Sequence, residues 1–466
     1  MKEIILKVYL TVINLLALIL CEKAKYISKY ILDNNISKKK IYFHFYKSID
    51  MEFLMMLIIN SLKKDHFIKI NTIKKIYISN HSIYKKKNIN KSIGDLYKKV
   101  KVNCEKYKIK SLYYPIIDDL HNEIKNYDLL KNIEIKISYF KEIKKLENKI
   151  SKISKNFDTL ILSDTCYTLN SIFKQQFLKK KKGVFSVETR GTVNTFSEIN
   201  IGEQSVSKKY FQDYCKNYKT YKFDIDNYLT ERLGGNSNDI NHLAFKFNNS
   251  GLRAINKDAK ILFLNFFVDA TNLSWSNKKI FASNLEWTEF TLKILKRNNY
   301  KNWFIKIHPM AFVYPGSKEI LEKLKEKYLI PQNIIDDCPN LKTILINKLP
   351  IYTHDGTAVL DSLCYNYKSF FCGTRFPSSF GYKADTVNKW KIFLNNSSHK
   401  NKVSKSLTLM AKYILWRDYK FQNIKNLCPD RPIVPWDNKF KRFYIFLTQI
   451  KNIFFLKNSQ IQIIRL

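Results

Sequence analysis

The feature that most restricts the fold of this chain is a repeated alternation of short apolar runs with segments of helical period. Thr159–Leu162 is apolar, a helical pattern follows around residues 167–179, and Gly183–Val187 is apolar again. The alternation restarts with Lys260–Phe267, a helical pattern over 284–298, Trp303–Ile307 and a helical pattern over 317–328. Apolar runs at 343–346, 350–353 and 368–372, with a helical segment from Thr357 to Cys364, complete it. Strands joined through helices of this length run parallel, because a hairpin would need only a few connecting residues. The expected class is therefore α/β, with two doubly wound, Rossmann-like units facing a cleft. Upstream, a strand at Lys40–Phe45, a helix at Met51–Leu62, a strand over 68–79 and a Lys-rich, mostly helical stretch over 84–155 supply the start of the first unit.

A polar, turn-rich stretch over 217–258, carrying Gly234-Gly235-Asn236, reads as the boundary. The 466 residues exceed one ordinary core. The expected division is an apolar and basic helical segment at 1–39, a domain at 40–250, a second at 251–425 and a basic amphipathic tail at 426–466. Residues 4–20 form an apolar run interrupted by Lys7 and Asn14, which fits either a membrane span or a buried or interfacial helix. Residues 439–466 mix Lys and Arg with Phe, Ile and Leu, as a helix lying in a membrane interface does.

Charge narrows the partners. There are 81 Lys and Arg against 40 Asp and Glu, a net charge of +41. A field of that sign attracts polyanions such as anionic lipid, acidic glycan or nucleic acid. Its spread along the chain argues against a specific nucleic-acid site and fits work beside an anionic membrane surface. The eight cysteines form no CxxC pair and no zinc spacing, so reduced thiols are expected. Hydrophobic residues make up 45 % of the chain, which excludes a wholly disordered protein.

Two strand ends carry candidate chemistry. Lys306-Ile307-His308-Pro309 ends an apolar strand with an imidazole and a fixed turn, where open α/β sheets bind ligands. Thr353-His354-Asp355-Gly356-Thr357 is a second strand end leading into a helix, with hydroxyls, a glycine for close approach and Asp361 about one turn further on.

Residues 261–381 resemble the C-terminal domain of bacterial capsule and surface-polysaccharide glycosyltransferases of GT-B fold. The resemblance lies in Phe266-Phe267-Val268-Asp269-Ala270 followed by Trp275 and Phe281, in Trp287 and Thr291, and in the Lys-x-His-Pro turn at 306–309. Thr353-x-x-Gly356-Thr357-x-x-x-Asp361, Lys368 and Phe380-Gly381 complete it. Asp361 stands where the pattern has Glu, and Asn265-Phe266 where some relatives carry His. Kdo transferases of capsule export systems and, more loosely, sialyltransferases with His-Pro motifs share these pieces and use CMP-activated acidic sugars. The resemblance implies that His308 contacts the donor phosphate, with Lys306, Pro309 and Thr353 beside it. It implies that Gly356-Thr357 closes on the nucleotide and that Asp361 holds the ribose.

The expected activity is sugar transfer from a nucleotide donor, with a CMP-linked acidic sugar favoured, to a surface-polysaccharide or lipid-linked acceptor. A carboxylate must take the acceptor proton if the anomer inverts, and Asp164 and Glu188, each just past a strand of the first unit, are the candidates. Arg190 suits an acidic sugar, Tyr167 the same cleft, and Asp269 the loop after residue 267. No metal or cofactor is expected: Asp224-Ile225-Asp226 has no apolar strand before it, Asp336-Asp337 reads as a loop pair before Cys338-Pro339, and transfer by the fold that the resemblance implies usually needs no metal. The expected place is the cytoplasm, peripheral at the inner face of the membrane. A UDP-sugar epimerase, a polyol-phosphate transferase and a non-catalytic basic binding protein are the alternatives.

Overall fold

The computed structural model describes residues 40–46, 67–73, 83–87, 92–123, 127–162, 167–187, 193–195, 222–230, 232, 258–267, 279–308, 311, 315–373, 376, 378–395, 403–422 and 461–465. Its strands are β1 (Lys40–Tyr46), β2 (Phe67–Ile73), β3 (Tyr84–Lys86), β4 (Ile133–Ile135), β5 (Thr159–Leu162), β6 (Gly183–Val187) and β7 (Val193–Thr195). They continue with β8 (Lys260–Phe263), β9 (Trp303–Lys306), β10 (Ile351–Thr353), β11 (Phe370–Phe371), β12 (Tyr382–Lys383) and β13 (Ile461–Arg465).

The protein is α/β with two mainly parallel sheets. The first has six strands in the order β13-β2-β1-β5-β6-β7, with only β7 antiparallel to its neighbour. The second has five strands in the order β12-β11-β10-β8-β9, and every pair is parallel. β3 and β4 form a small antiparallel ladder beside them. The parallel pairing follows from the helices between strands: Asn284–Arg297 carries the chain from β8 to β9, and Pro315–Tyr328 lies between β9 and β10. Buried strands of this kind read as continuous apolar runs, and β5 and β10 are buried along their whole length.

The largest apolar cluster joins the two sheets. It runs from Tyr42, Leu160 and Val184 through Leu96, Val100, Leu112 and Phe140 to Leu262, Ile305 and Tyr352. The helices Ile93–Lys106 and Tyr113–Glu123 reach across to the second sheet's side, where Tyr97 bonds Ser283 and Tyr114 bonds the Lys279 carbonyl. The Lys-rich stretch over 84–155 is therefore a packed helical layer with its lysines at the surface.

Three expectations change. Residues 343–346 are helical, not a strand, because Asn340 caps a helix over Leu341–Ile346 by accepting from the Thr343 N–H at 2.8 Å. Leu341, Ile344 and Leu345 then share its buried face. The C-terminal residues do not end as an amphipathic helix. Ile461–Arg465 is a parallel edge strand on β2, in keeping with its three β-branched isoleucines. Third, residues 222–230, within the expected boundary stretch, form a helix whose Ile225 and Tyr228 pack on Val359, Leu363, Ile414 and Trp416. That helix packs with the helices Ala358–Cys364 and Lys405–Gln422. The segments 4–20 and 51–62 lie outside the described residues. No helix among the described residues is long and apolar enough to cross a membrane.

Candidate functional site

The second sheet has its switch point between β8 and β10. Numbered along the chain, its strands lie in the order 2-1-3-4-5, so connections leave to opposite sides on either side of that pair. Open parallel sheets bind ligands in the crevice outside the carboxyl ends of the strands at such a point. The residues at this edge follow β8 (Leu264 to Phe267), β9 (Ile307 and His308) and β10 (His354 to Thr357).

Two asparagines organise this edge. Asn265 lies one residue beyond the apolar run of β8. Its Oδ1 accepts from Thr353 Oγ1 at 3.1 Å and from the His354 N–H at 3.3 Å, which ties the ends of β8 and β10 together. Thr353 Oγ1 in turn accepts the Gly356 N–H at 3.2 Å. A Cβ at Gly356 would stand 2.8 Å from that oxygen, so the glycine keeps this turn closed.

Asn284 opens the helix Asn284–Arg297. Its Nδ2 donates to the Phe266 carbonyl at 2.9 Å, and its Oδ1 faces His354 Nδ1 at 2.8 Å. A carbonyl can only accept, so the amide is oriented and the imidazole must carry its proton on Nδ1. Burial pushes the His354 pKa down to about 4, and the ring is neutral at pH 7. Trp287 stacks on it with centroids 5.6 Å apart, and the His354 carbonyl accepts the Gly373 N–H at 2.8 Å. The loop after β10 is held on three sides before any ligand arrives.

His308 stands exposed at the end of β9, stacked on Phe266 with centroids 6.2 Å apart. Phe266 and Asn284 thus link it to His354. Strand alternation places Lys306 elsewhere. It is buried beside Cys338, whose thiol burial pushes up to about 11, while burial lowers the lysine's own pKa. It supports the sheet from the face packed by Cys338, Leu341 and Ile344 rather than opening onto the crevice. Thr353 is fully buried. Thr357 is half-buried at the start of the helix Ala358–Cys364, and its side chain makes no capping bond.

Asp361 is committed to another partner. Arg232 Nε donates to its Oδ1 at 2.9 Å and Nη2 to its Oδ2 at 3.1 Å, with both side chains about 95 % buried. A ribose hydroxyl would have to displace a guanidinium that binds both oxygens. The geometry gives Asp361 the role of fastening Arg232 to the helix Ala358–Cys364, in place of the expected hold on a ribose.

Asp355 is the carboxylate that does lie at the crevice edge. A Cβ at Gly373 would sit 1.9 Å from its Cγ, so its carboxyl fills the space that glycine leaves. Lys383, at the end of β12, is drawn toward it electrostatically and donates to the Phe376 carbonyl at 2.9 Å.

In the first sheet, Tyr167 is half-buried and precedes the helix Thr168–Leu178 at φ 63° and ψ 162°, a region that side-chain-bearing residues rarely enter. The Thr168 N–H donates to Asp119 Oδ2 at 3.1 Å, so a carboxylate already occupies that helix start. Asp164, Glu188, Arg190, Asp269 and Pro309 lie outside the described residues. Asp224 and Asp226 lie on a helix, where a spacing of two points them to different sides. Among the described residues no group of three or more His, Cys, Asp and Glu is arranged to hold a metal ion.

Comparison with protein-family models, with curated proteins and with solved structures finds no match to this chain. The functional reading therefore rests on the geometry of the crevice and on the motifs that line it.

Sequence reasoning singled out His308, Gly356 and Thr357 at this edge, and missed Asn284 as a bridging residue. The signal for it was present. Ser283-Asn284-Leu285-Glu286 is a capping-box sequence, and it fixes Asn284 as the first residue of a helix.

Proposed function

We propose that this protein is a glycosyltransferase of GT-B arrangement that holds a nucleotide-sugar donor in the crevice between the ends of β8 and β10. One observation carries the reading: three loops converge at the switch point of an all-parallel sheet, tied by Asn265 and Asn284, with His308 exposed at their rim.

In this reading His308 donates an imidazole N–H to the donor phosphate, and Gly356 and Thr357 lie along the nucleotide. The resemblance of residues 261–381 to capsule glycosyltransferases favours a CMP-linked acidic sugar. A polyanionic or lipid-linked acceptor at an anionic membrane surface fits the net charge of +41. The acceptor proton goes to Asp164 or Glu188, which follow β5 and β6 in the sequence.

Thermal-shift measurements with CMP, UDP, GDP and ADP test the reading. A nucleotide at 100 times its dissociation constant raises stability by about 2.7 kcal/mol. A rise with at least one nucleotide is expected. No rise with any of them overturns it, and salt-sensitive binding of duplex nucleic acid in its place would favour a non-catalytic polyanion-binding protein.

A further inference from the structure

The helix Asn284–Arg297 begins where two sets of hydrogen bonds meet. On one side, Ser283 caps it, its Oγ accepting the Glu286 N–H at 3.1 Å. The same Oγ lies 2.8 Å from the hydroxyl of Tyr97, on the helix Ile93–Lys106 of the helical layer. The Tyr97 hydroxyl also meets His121 Nε2 at 2.5 Å, from the helix Tyr113–Glu123. On the other side, Asn284 bonds the Phe266 carbonyl and the His354 ring, which belong to the loops after β8 and β10.

These groups are enclosed. Tyr97, His121, Ser283 and Asn284 are each at most 4 % exposed. Burial lowers the His121 pKa to about 4, so its ring is neutral. A tyrosine hydroxyl has one proton, so toward one of its two neighbours it donates and toward the other it accepts. Removing that oxygen leaves both neighbours short of a bond in a site water does not reach. A second contact keeps the two segments in register: Tyr114 Oη donates to the Lys279 carbonyl at 2.9 Å, and the Lys279 ammonium lies 5.2 Å from the Tyr114 ring centroid.

We propose that Tyr97 is a positioning residue for the crevice: through Ser283 it fixes the first turn of the helix Asn284–Arg297, and through Asn284 it sets the His354 ring and the Phe266 carbonyl. Ligand affinity at the second sheet therefore depends on a hydroxyl supplied by the helical layer more than 180 residues earlier in the chain. The proposal rests on the reading of the crevice as a nucleotide site.

The test is a set of titrations of the full chain with CMP, UDP, GDP and ADP, with unfolding midpoints recorded in parallel. Tyr97→Phe and Ser283→Ala each weaken binding of the nucleotide that the native protein takes by about three- to tenfold, the range of couplings carried through packed networks. Ser283→Thr, which keeps the hydroxyl, binds within about twofold of the native protein. In an Asn284→Ala background Tyr97→Phe has no further effect, because its path is already cut. A purely structural tyrosine would lower the midpoint and leave the dissociation constant alone, and that result overturns the proposal, as do additive effects of Tyr97→Phe and Asn284→Ala. If Tyr97→Phe does not fold, Ser283→Ala against Ser283→Thr carries the same decision. Failure of the native protein to bind any of the four nucleotides overturns the nucleotide reading, and this proposal with it.

Discussion

His354 donates its Nδ1–H to Asn284 Oδ1 across 2.8 Å, and Asn284 in turn donates to the carbonyl of Phe266. One amide therefore joins the loop after β10 to the loop after β8. Asn284→Ala leaves a buried imidazole N–H and a half-buried backbone carbonyl without it. Each orphaned group costs about 1–3 kcal/mol. Urea unfolding of Asn284→Ala is expected to show a loss of about 2–4 kcal/mol with an unchanged m-value, whereas a loss under about 0.5 kcal/mol would show that the amide holds nothing.

The Arg232–Asp361 pair gives a second, separable prediction. Removing one partner of a buried ion pair costs about 3–5 kcal/mol, because the other charge stays behind. Asp361→Ala and Arg232→Ala are each expected to fall in that range by chemical denaturation. The double variant Arg232→Met with Asp361→Leu recovers much of the loss. Nucleotide affinity of folded Asp361→Asn stays within about twofold of native, and a drop of tenfold or more would return Asp361 to the ligand.

Acid sensitivity follows from three buried histidines. Burial lowers His44 to about 3, and His121 and His354 to about 4. Each is neutral when folded and takes a proton near pH 6.5 when unfolded. The unfolded state thus binds more protons below pH 6.5, and stability falls as pH drops from there toward 4. Each ring contributes a slope of about 1.4 kcal/mol per pH unit in that window. Unfolding free energies measured between pH 7.5 and 4.5 check this. Substituting His121 by Asn removes about 1.4 kcal/mol per pH unit from the slope, and an unchanged slope contradicts its assignment.

The two glycines beyond β10 separate backbone crowding from side-chain crowding. A Cβ at Gly381 would stand 2.5 Å from the Ser369 carbonyl, which is fixed in the sheet. Gly381→Ala is expected to cost about 1–3 kcal/mol. The three atoms nearest a Cβ at Gly373 are those of the Asp355 carboxyl, which is able to rotate away. Gly373→Ala therefore costs less stability and acts on nucleotide affinity instead. Thermal unfolding and nucleotide titration of both variants decide the contrast.

Much of the second sheet was legible in the sequence. β8, β9 and β10 are buried parallel strands, and such strands read as continuous apolar runs closing in polar turns. The helix Leu341–Ile346 was not, because the six residues Leu-Lys-Thr-Ile-Leu-Ile fit either period and only the Asn340 cap decides. β13 escaped because a five-residue edge strand is short beside the basic, aromatic tail before it. The site was legible in part. His308 and Gly356–Thr357 follow apolar strands and were found by position. Arg232 lies 129 residues from Asp361 in a polar stretch, and only the fold brings them together. Asn265 and Asn284 act by joining loops that crossovers have made neighbours, a property no local pattern records.

The central claim is a location, and photo-crosslinking tests it most directly. The nucleotide that stabilises the protein, carried as its azido derivative, is activated in the bound state and the labelled peptides are mapped. The account predicts labels within residues 264–267, 307–308 and 354–357, lost on competition with unlabelled nucleotide and reduced in His308→Ala. Labels confined to the first sheet, or labels that competition does not remove, would contradict it.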